Sequence, residues 1–187
     1  MPDDHLPRVR ELLASHGTIT LATAGEGRAW AATVFYASDA DLNLYFVTDA
    51  RTRHGRDLQR NAHVTGAINR DVSTWGEVIG LQLEGKASVV EGADRDLALT
   101  AYLGKFPDVR RLFEQPRDAH EKVIADRLRH TPFWRFTPTW LRLIDSTRGF
   151  GWKWETALRP ALSRNRRLST AAATRCGCRC RRSASRP

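Results

Sequence analysis

Between Thr18 and Thr48 the chain repeats one pattern three times: a short run rich in β-branched and aromatic residues, then a cluster of turn formers. The runs are Thr18 to Thr23 (TITLAT), Ala29 to Tyr36 (AWAATVFY) and Leu42 to Thr48 (LNLYFVT), separated by Ala-Gly-Glu-Gly and Ala-Ser-Asp-Ala-Asp. Side chains of this kind suit a pleated, half-buried surface, so the spacing predicts a three-strand antiparallel meander. Two further runs extend it. His63 to Asn69 (HVTGAIN) reads as a strand, and Val78 to Glu91 (VIGLQLEGKASVVE) as a longer one in which Gly85 marks a bulge or bend. Phe133 to Phe136 and Trp140 to Asp145 are the last strand signals, with Pro138 between them arguing against one long central strand.

Helical periodicity is confined to the connections. Asp4 to Ser15 places Leu6, Val9, Leu12 and Leu13 on one face, and Thr52 to Asn61 reads as a short helix with Thr52 as its N-cap. Asp94 to Phe106, Pro107 to Phe113 and Ala119 to Leu128 read as three more. Six or seven short strands decorated by helices predict a mainly β protein built on a small closed or partly closed barrel.

The net charge of +9 would fit a nucleic-acid binder if it were spread over the fold. It is not. Residues 157–187 carry nine Arg and no acid, whereas residues 1–156 carry 21 basic and 21 acidic side chains. All three cysteines (Cys176, Cys178 and Cys180) also lie in that tail, so the body holds neither a disulfide framework nor a thiolate metal site. The expectation is one domain over 1–156 and a basic, disordered tail over 157–187. For the tail, an anionic-surface arm and a Cys-x-Cys-x-Cys metal tract compete with an appended segment without selected function, and the last is favoured. No apolar window is long enough to span a bilayer, and the acidic, amphipathic start is unlike a signal peptide, so a cytoplasmic protein is expected.

The six histidines show no His-Glu-x-x-His spacing, and neither Gly-x-Ser-x-Gly nor a phosphate-loop Gly-Lys-Ser/Thr is present. No metal site is expected. The stretch that carries most chemistry is Tyr45 to Leu58, YFVTDARTRHGRDL, in which a strand ends on Thr48 and a helix opens on Thr52-Arg53-His54-Gly55. Free N–H groups at a helix start, a Thr hydroxyl and an adjacent Arg suit a phosphate dianion. A capped surface helix with ordinary solvated charges has the same pattern.

This stretch resembles the pyridoxamine 5'-phosphate oxidase-like, FMN-binding split-barrel family, whose members carry a strand, Thr, a short turn, Ser/Thr-Arg-Lys and a helix. The likeness continues through TITLATAGEGRAWAATVFYASDADLNLYFVT, LQLEGKASVVEG and WLRLIDSTRGFGWK, about 150 of the 187 residues. Phe35-Tyr36, Thr52-Arg53-His54, Phe106-Pro107 and Gly149-Phe150-Gly151 are similar to a small bacterial branch of it. The resemblance implies a six-stranded, Greek-key-like split β-barrel and a flavin-dependent oxidoreductase acting on a small molecule. It also implies a homodimer with FMN at its interface. Carried over residue by residue, it assigns the FMN phosphate to Thr52, Arg53 and His54, with Thr48 near the ribityl chain. Thr33 and Val34 would border the ring, with Gln82 and Lys153 as further contacts.

The departures count as well. His54 stands where the family has Lys, which makes a phosphate contact neutral at pH 7 unless the phosphate raises its pKa. The family's Arg-Gln pair aligns with Ile79 and Gly80, leaving Gln82 as the nearby polar substitute, and the Arg-Leu-x-Pro substrate segment of the true oxidase is missing. Pyridoxamine phosphate is therefore not the expected substrate. Beside the enzyme reading stands a non-catalytic binding or sensing module for weakly held flavin or haem. Nucleic-acid binding through the tail is the weakest reading.

Overall fold

The computed structural model describes residues 4–159. Its strands are β1 (Thr18–Gly25), β2 (Arg28–Ser38), β3 (Leu44–Val47), β4 (His63–Asn69), β5 (Ile79–Val90), β6 (Phe133–Asp145) and β7 (Lys153–Ala157). The helices are α1 (Leu6–Ser15), α2 (Arg53–Arg60), α3 (Gly92–Lys105), α4 (Pro107–Glu114) and α5 (Ala119–His130). The strands run antiparallel in the order β3-β2-β1-β4-β5-β6, and a further β3–β6 pairing closes these six into a barrel. β7 pairs with β6 outside the ring. The family resemblance implied this closed six-stranded barrel with flanking helices. The called tail lies, from residue 160 onward, outside the described residues.

Alternation fills the barrel. Along β1, Ile19, Leu21 and Thr23 point inward while Thr18, Thr20, Ala22 and Ala24 stay exposed. Leu44 and Phe46, Val64 and Ile68, Leu81 and Leu83, and Phe136, Leu141 and Leu143 meet them from the other strands. Val9, Leu12 and Leu13 of α1 join this core, and Tyr36 Oη donates to the Leu13 carbonyl at 3.0 Å. A second cluster packs Ala98 and Tyr102 of α3 on Ala37, Tyr45 and Phe133. Lys105 ties α3 to α1: its Nζ lies 3.9 Å from the Tyr36 ring centroid and donates to the carbonyls of Leu13 and His16 at 2.8 and 2.6 Å. Burial pushes its pKa down to about 8.

Two sequence expectations fail: a further strand, β7, follows what read as the last strand signals, and β6 runs unbroken through Pro138 for 13 residues. The missing N–H is tolerated because of where the proline falls. On one side, β3 pairs with Phe133–Phe136 and β7 with Trp140–Ile144, so Pro138 sits in the gap between the two partners. On the other, it faces Gly85 at the register shift between Glu84 and Gly85. The glycine is required by this close approach, since a Cβ there would lie 2.2 Å from the Thr137 carbonyl oxygen and 2.8 Å from Pro138 Cα. We expect Gly85→Ala to destabilise the fold by roughly 1–3 kcal/mol through overpacking. An unchanged urea midpoint would show that β6 can move away at no cost.

Candidate functional site

β3 ends at Val47, and closure of the barrel aims the next residues at the start of α2. Thr52 caps that helix: its Oγ1 accepts from Gly55 N–H at 3.1 Å and donates to the Asp49 carbonyl at 2.8 Å. The chain can turn this tightly only with glycine at 55, where a Cβ would lie 2.4 Å from the Asp49 carbonyl oxygen. The Arg56 N–H bonds back to the Thr52 carbonyl, leaving the N–H groups of Arg53 and His54 as the uncapped donors of the first turn.

Three of the candidate side chains meet here. The buried Thr48 places Oγ1 2.6 Å from His54 Nε2 and 3.2 Å from Thr52 Oγ1. His54 is half-buried, and desolvation lowers its pKa below the usual imidazole value, partly offset by the charge of Asp57. Arg53 turns the other way, its guanidinium 4.5 Å from the centroid of the Trp30 ring on β2. Among the described residues Arg53 makes no ion pair, which leaves its donors open to an anion. Trp30 was not singled out in the sequence. Its strand was legible, but the pairing of β2 with the helix after β3 is a tertiary event.

Of the other candidates, all but Val34 occupy the outer face of the sheet. Thr33 is exposed, with Oγ1 3.1 Å from Thr20 Oγ1, whereas Val34, one residue on, points into the core. Gln82 faces outward and accepts from Arg142 Nη1 at 3.0 Å, and Arg142 Nε in turn donates to Glu155 at 2.8 Å. Strand register joins them in a single row, Thr33–Thr20–Ala67–Gln82–Arg142–Glu155. Lys153 is exposed beside the end of this row, with Nζ 3.9 Å from Glu155 Oε1. By the short way around the closed barrel, β6 and β3 lie between β7 and β2, and among the described residues no hydrogen bond or ion pair joins Lys153 to Arg53. Trp152 and Trp154 pack edge-on around His5, at 5.0 and 5.4 Å between centroids. Among the described residues no group of three His, Cys, Asp or Glu side chains is placed to hold a metal ion, and no helix is long and apolar enough to cross a membrane.

The barrel closed by β3 on β6 is thus followed by a Thr-capped helix and an open arginine. Residues 6–143 match the model of the pyridoxamine 5'-phosphate oxidase family. The chain belongs to that family. Among its relatives, the UPF0306 protein YhbP of Salmonella paratyphi A is 31% identical over 151 residues, which cover 80% of this chain and 91% of YhbP. Solved structures share the fold at lower identity. A heme binding protein from Mycobacterium smegmatis superposes with a TM-score of 0.64 at 20% identity, covering 84% of this chain and 59% of its own. HutZ, the heme storage protein of Vibrio cholerae, gives 0.56 at 17%, covering 71% of this chain and 88% of its own.

The burial of the His54 ring makes a measurable prediction. In the ligand-free protein its imidazole should titrate below the ordinary value of about 6.5, as followed by histidine NMR shifts. Because the folded-state pKa is the lower one, the unfolded chain binds the extra proton first, and this residue's contribution to stability falls as pH drops below that value. A pKa at or above the ordinary value would contradict the buried placement of the ring.

Proposed function

We propose that the chain is an FMN-dependent oxidoreductase that acts on a small molecule as a homodimer. The observation that carries the reading is Arg53, held against Trp30 with no carboxylate partner among the described residues, beside the two uncapped N–H groups that open α2. This donor set fits a phosphate dianion, with Arg53 supplying charge-assisted hydrogen bonds and the helix start supplying oriented amides. Bound FMN would supply the hydride and electron chemistry. The protein's part is to anchor the phosphate, to hold Thr48 and His54 beside it, and to present the outer sheet face around Thr33 to the ring.

The homodimer reading rests on that outer face. Ala22 and Ala31 stand opposite one another there, with Ala67 nearby, and such small exposed side chains let a second barrel approach closely. In that arrangement Gln82 and Lys153 of a second copy would reach the Arg53 site, which neither contacts within one chain among the described residues. The family membership supports the fold and the cofactor class. It leaves the substrate open, consistent with the absence of the Arg-Leu-x-Pro segment from the sequence.

A specific observation favours a second reading, a binding or sensing module for weakly held flavin or haem. The Thr52 hydroxyl and the His54 ring are both engaged within the chain, so a ligand must compete for them. Neighbours with this barrel include a heme binding protein and a heme storage protein, which adds haem as the ligand to try.

The deciding measurement is the visible spectrum of the protein supplied with FMN and then desalted. Retained flavin bands support the enzyme reading, and a colourless protein that takes up haem favours the module. We expect Arg53→Ala to weaken FMN binding by about 1.5–3 kcal/mol, on the order of 10- to 150-fold, without unfolding the chain. Affinity equal to wild type would remove Arg53 from the site. A bound phosphate should raise the His54 pKa, so wild-type affinity should gain a His54 contribution as pH falls from 8 to 6. His54→Lys should bind more tightly at pH 8 and lose that contribution. A pH profile that is identical in the two proteins would reject His54 as a phosphate contact.

A further inference from the structure

Beside Arg53, on the side away from His54, lies a cleft of about 220 Å³ between the β1–β2 hairpin and α2. Four arginines line it: Arg28 from the hairpin, and Arg53, Arg56 and Arg60 from the helix. On α2 these three follow at i, i+3 and i+7 and so share one face. Like charges at this spacing work against the helix, and the barrel does not need them for packing, because Arg56 and Arg60 are exposed.

The cleft is a formed structure. Glu26 and Gly27 both have positive φ, 54° and 72°, which makes the two-residue hairpin turn that sets Arg28 opposite Gly25. A Cβ at Gly25 would lie 2.1 Å from Asp57 Oδ1, so the glycine lets the hairpin close over the helix. Asp57, on the lining, is buried and its Oδ2 accepts from Thr23 Oγ1 at 3.1 Å. Glu26 is paired with Arg60. Among the described residues the Arg56 guanidinium donates only to the Arg51 carbonyl, and Arg28, Arg53 and Arg56 make no ion pair. Three open guanidinium groups around one cavity exceed what a single phosphate at the start of α2 would engage. The volume is below the roughly 300–1,000 Å³ of pockets that enclose a whole ligand, and fits an end group.

We infer that this cleft binds a second oxyanion, a phosphate or carboxylate group, held by Arg28 and Arg56 beside the anion that Arg53 engages. The ligands of this protein would then be multiply anionic. The oxyanion has two possible sources: the diphosphate of a longer flavin such as FAD, or the acidic end of a separate substrate. The role of the cleft in a redox reaction rests on the flavin reading above, whereas its capacity to bind an anion does not.

The test is calorimetric titration of the full chain with inorganic pyrophosphate, with FMN and FAD binding measured in parallel. Wild type should bind pyrophosphate saturably, and Arg28→Gln/Arg56→Gln should bind it at least 10-fold more weakly while FMN affinity stays within twofold. Arg70→Gln/Arg117→Gln removes the same charge from elsewhere on the surface and should leave pyrophosphate binding as it is. FAD bound more tightly than FMN by wild type alone identifies the diphosphate as the source. Pyrophosphate binding that adds to bound FMN, with no preference for FAD, identifies a separate substrate.

The inference is overturned if wild type shows no saturable binding, if the cleft variant equals wild type, or if the charge control loses as much. It is also overturned if FMN affinity falls in parallel with pyrophosphate affinity, since the arginines would then hold the flavin's own phosphate. Failure of FMN to bind, with the pyrophosphate result intact, would defeat the flavin reading and leave the anion site standing.

Discussion

The pairing of the four-residue strand β3 with the first half of β6 is the interaction on which the rest of the molecule depends. Without it the six strands form an open sheet with two free edges. With it, Leu44 and Phe46 are sealed inside against Phe136 and Trp134, and the chain leaving β3 can only emerge at one rim of the barrel. Thr48, the Thr52 cap and Arg53 follow within six residues of that rim, so the closure that completes the core also positions the site.

That closure demands an accommodation in β6. The strand must serve β3 along one half and β7 along the other while keeping β5 throughout, and the Gly85–Pro138 bulge lies where its partner changes. A proline read in isolation argues for a broken strand. Here its missing N–H falls between two neighbours, and the residue opposite has no side chain to collide with.

The site combines economy with unspent charge. Threonine hydroxyls and a half-buried imidazole satisfy one another at the start of α2, which keeps this turn stable without a ligand. The arginines beyond it are different, since Arg53 rests on Trp30 and Arg28 and Arg56 have no acidic partner among the described residues. Cations left unpaired around a cleft bring no packing benefit, and their chemistry points toward oxyanions.

The sequence alone determined most of the elements, though neither the continuity of β6 nor the presence of β7. Runs of β-branched and aromatic residues between turn formers marked β1, β2 and β3, Thr52 before Arg-His-Gly marked the α2 cap, and Gly85 marked a bulge, because these signals depend on side chains within a few residues of each other. The resemblance carried by the same motifs added the barrel and the expectation of a flavin. Only the tertiary structure decided the rest: that Trp30 lies under Arg53, that Thr33 and Gln82 share one row on the outer face, that Lys153 stands beside Glu155 at the end of that row, and that Arg28 meets Arg56 across a cleft. Each of these depends on strand order and on the closure between β3 and β6. Such long-range pairings are fixed by the summed packing of the whole core, and no local pattern of residues records them.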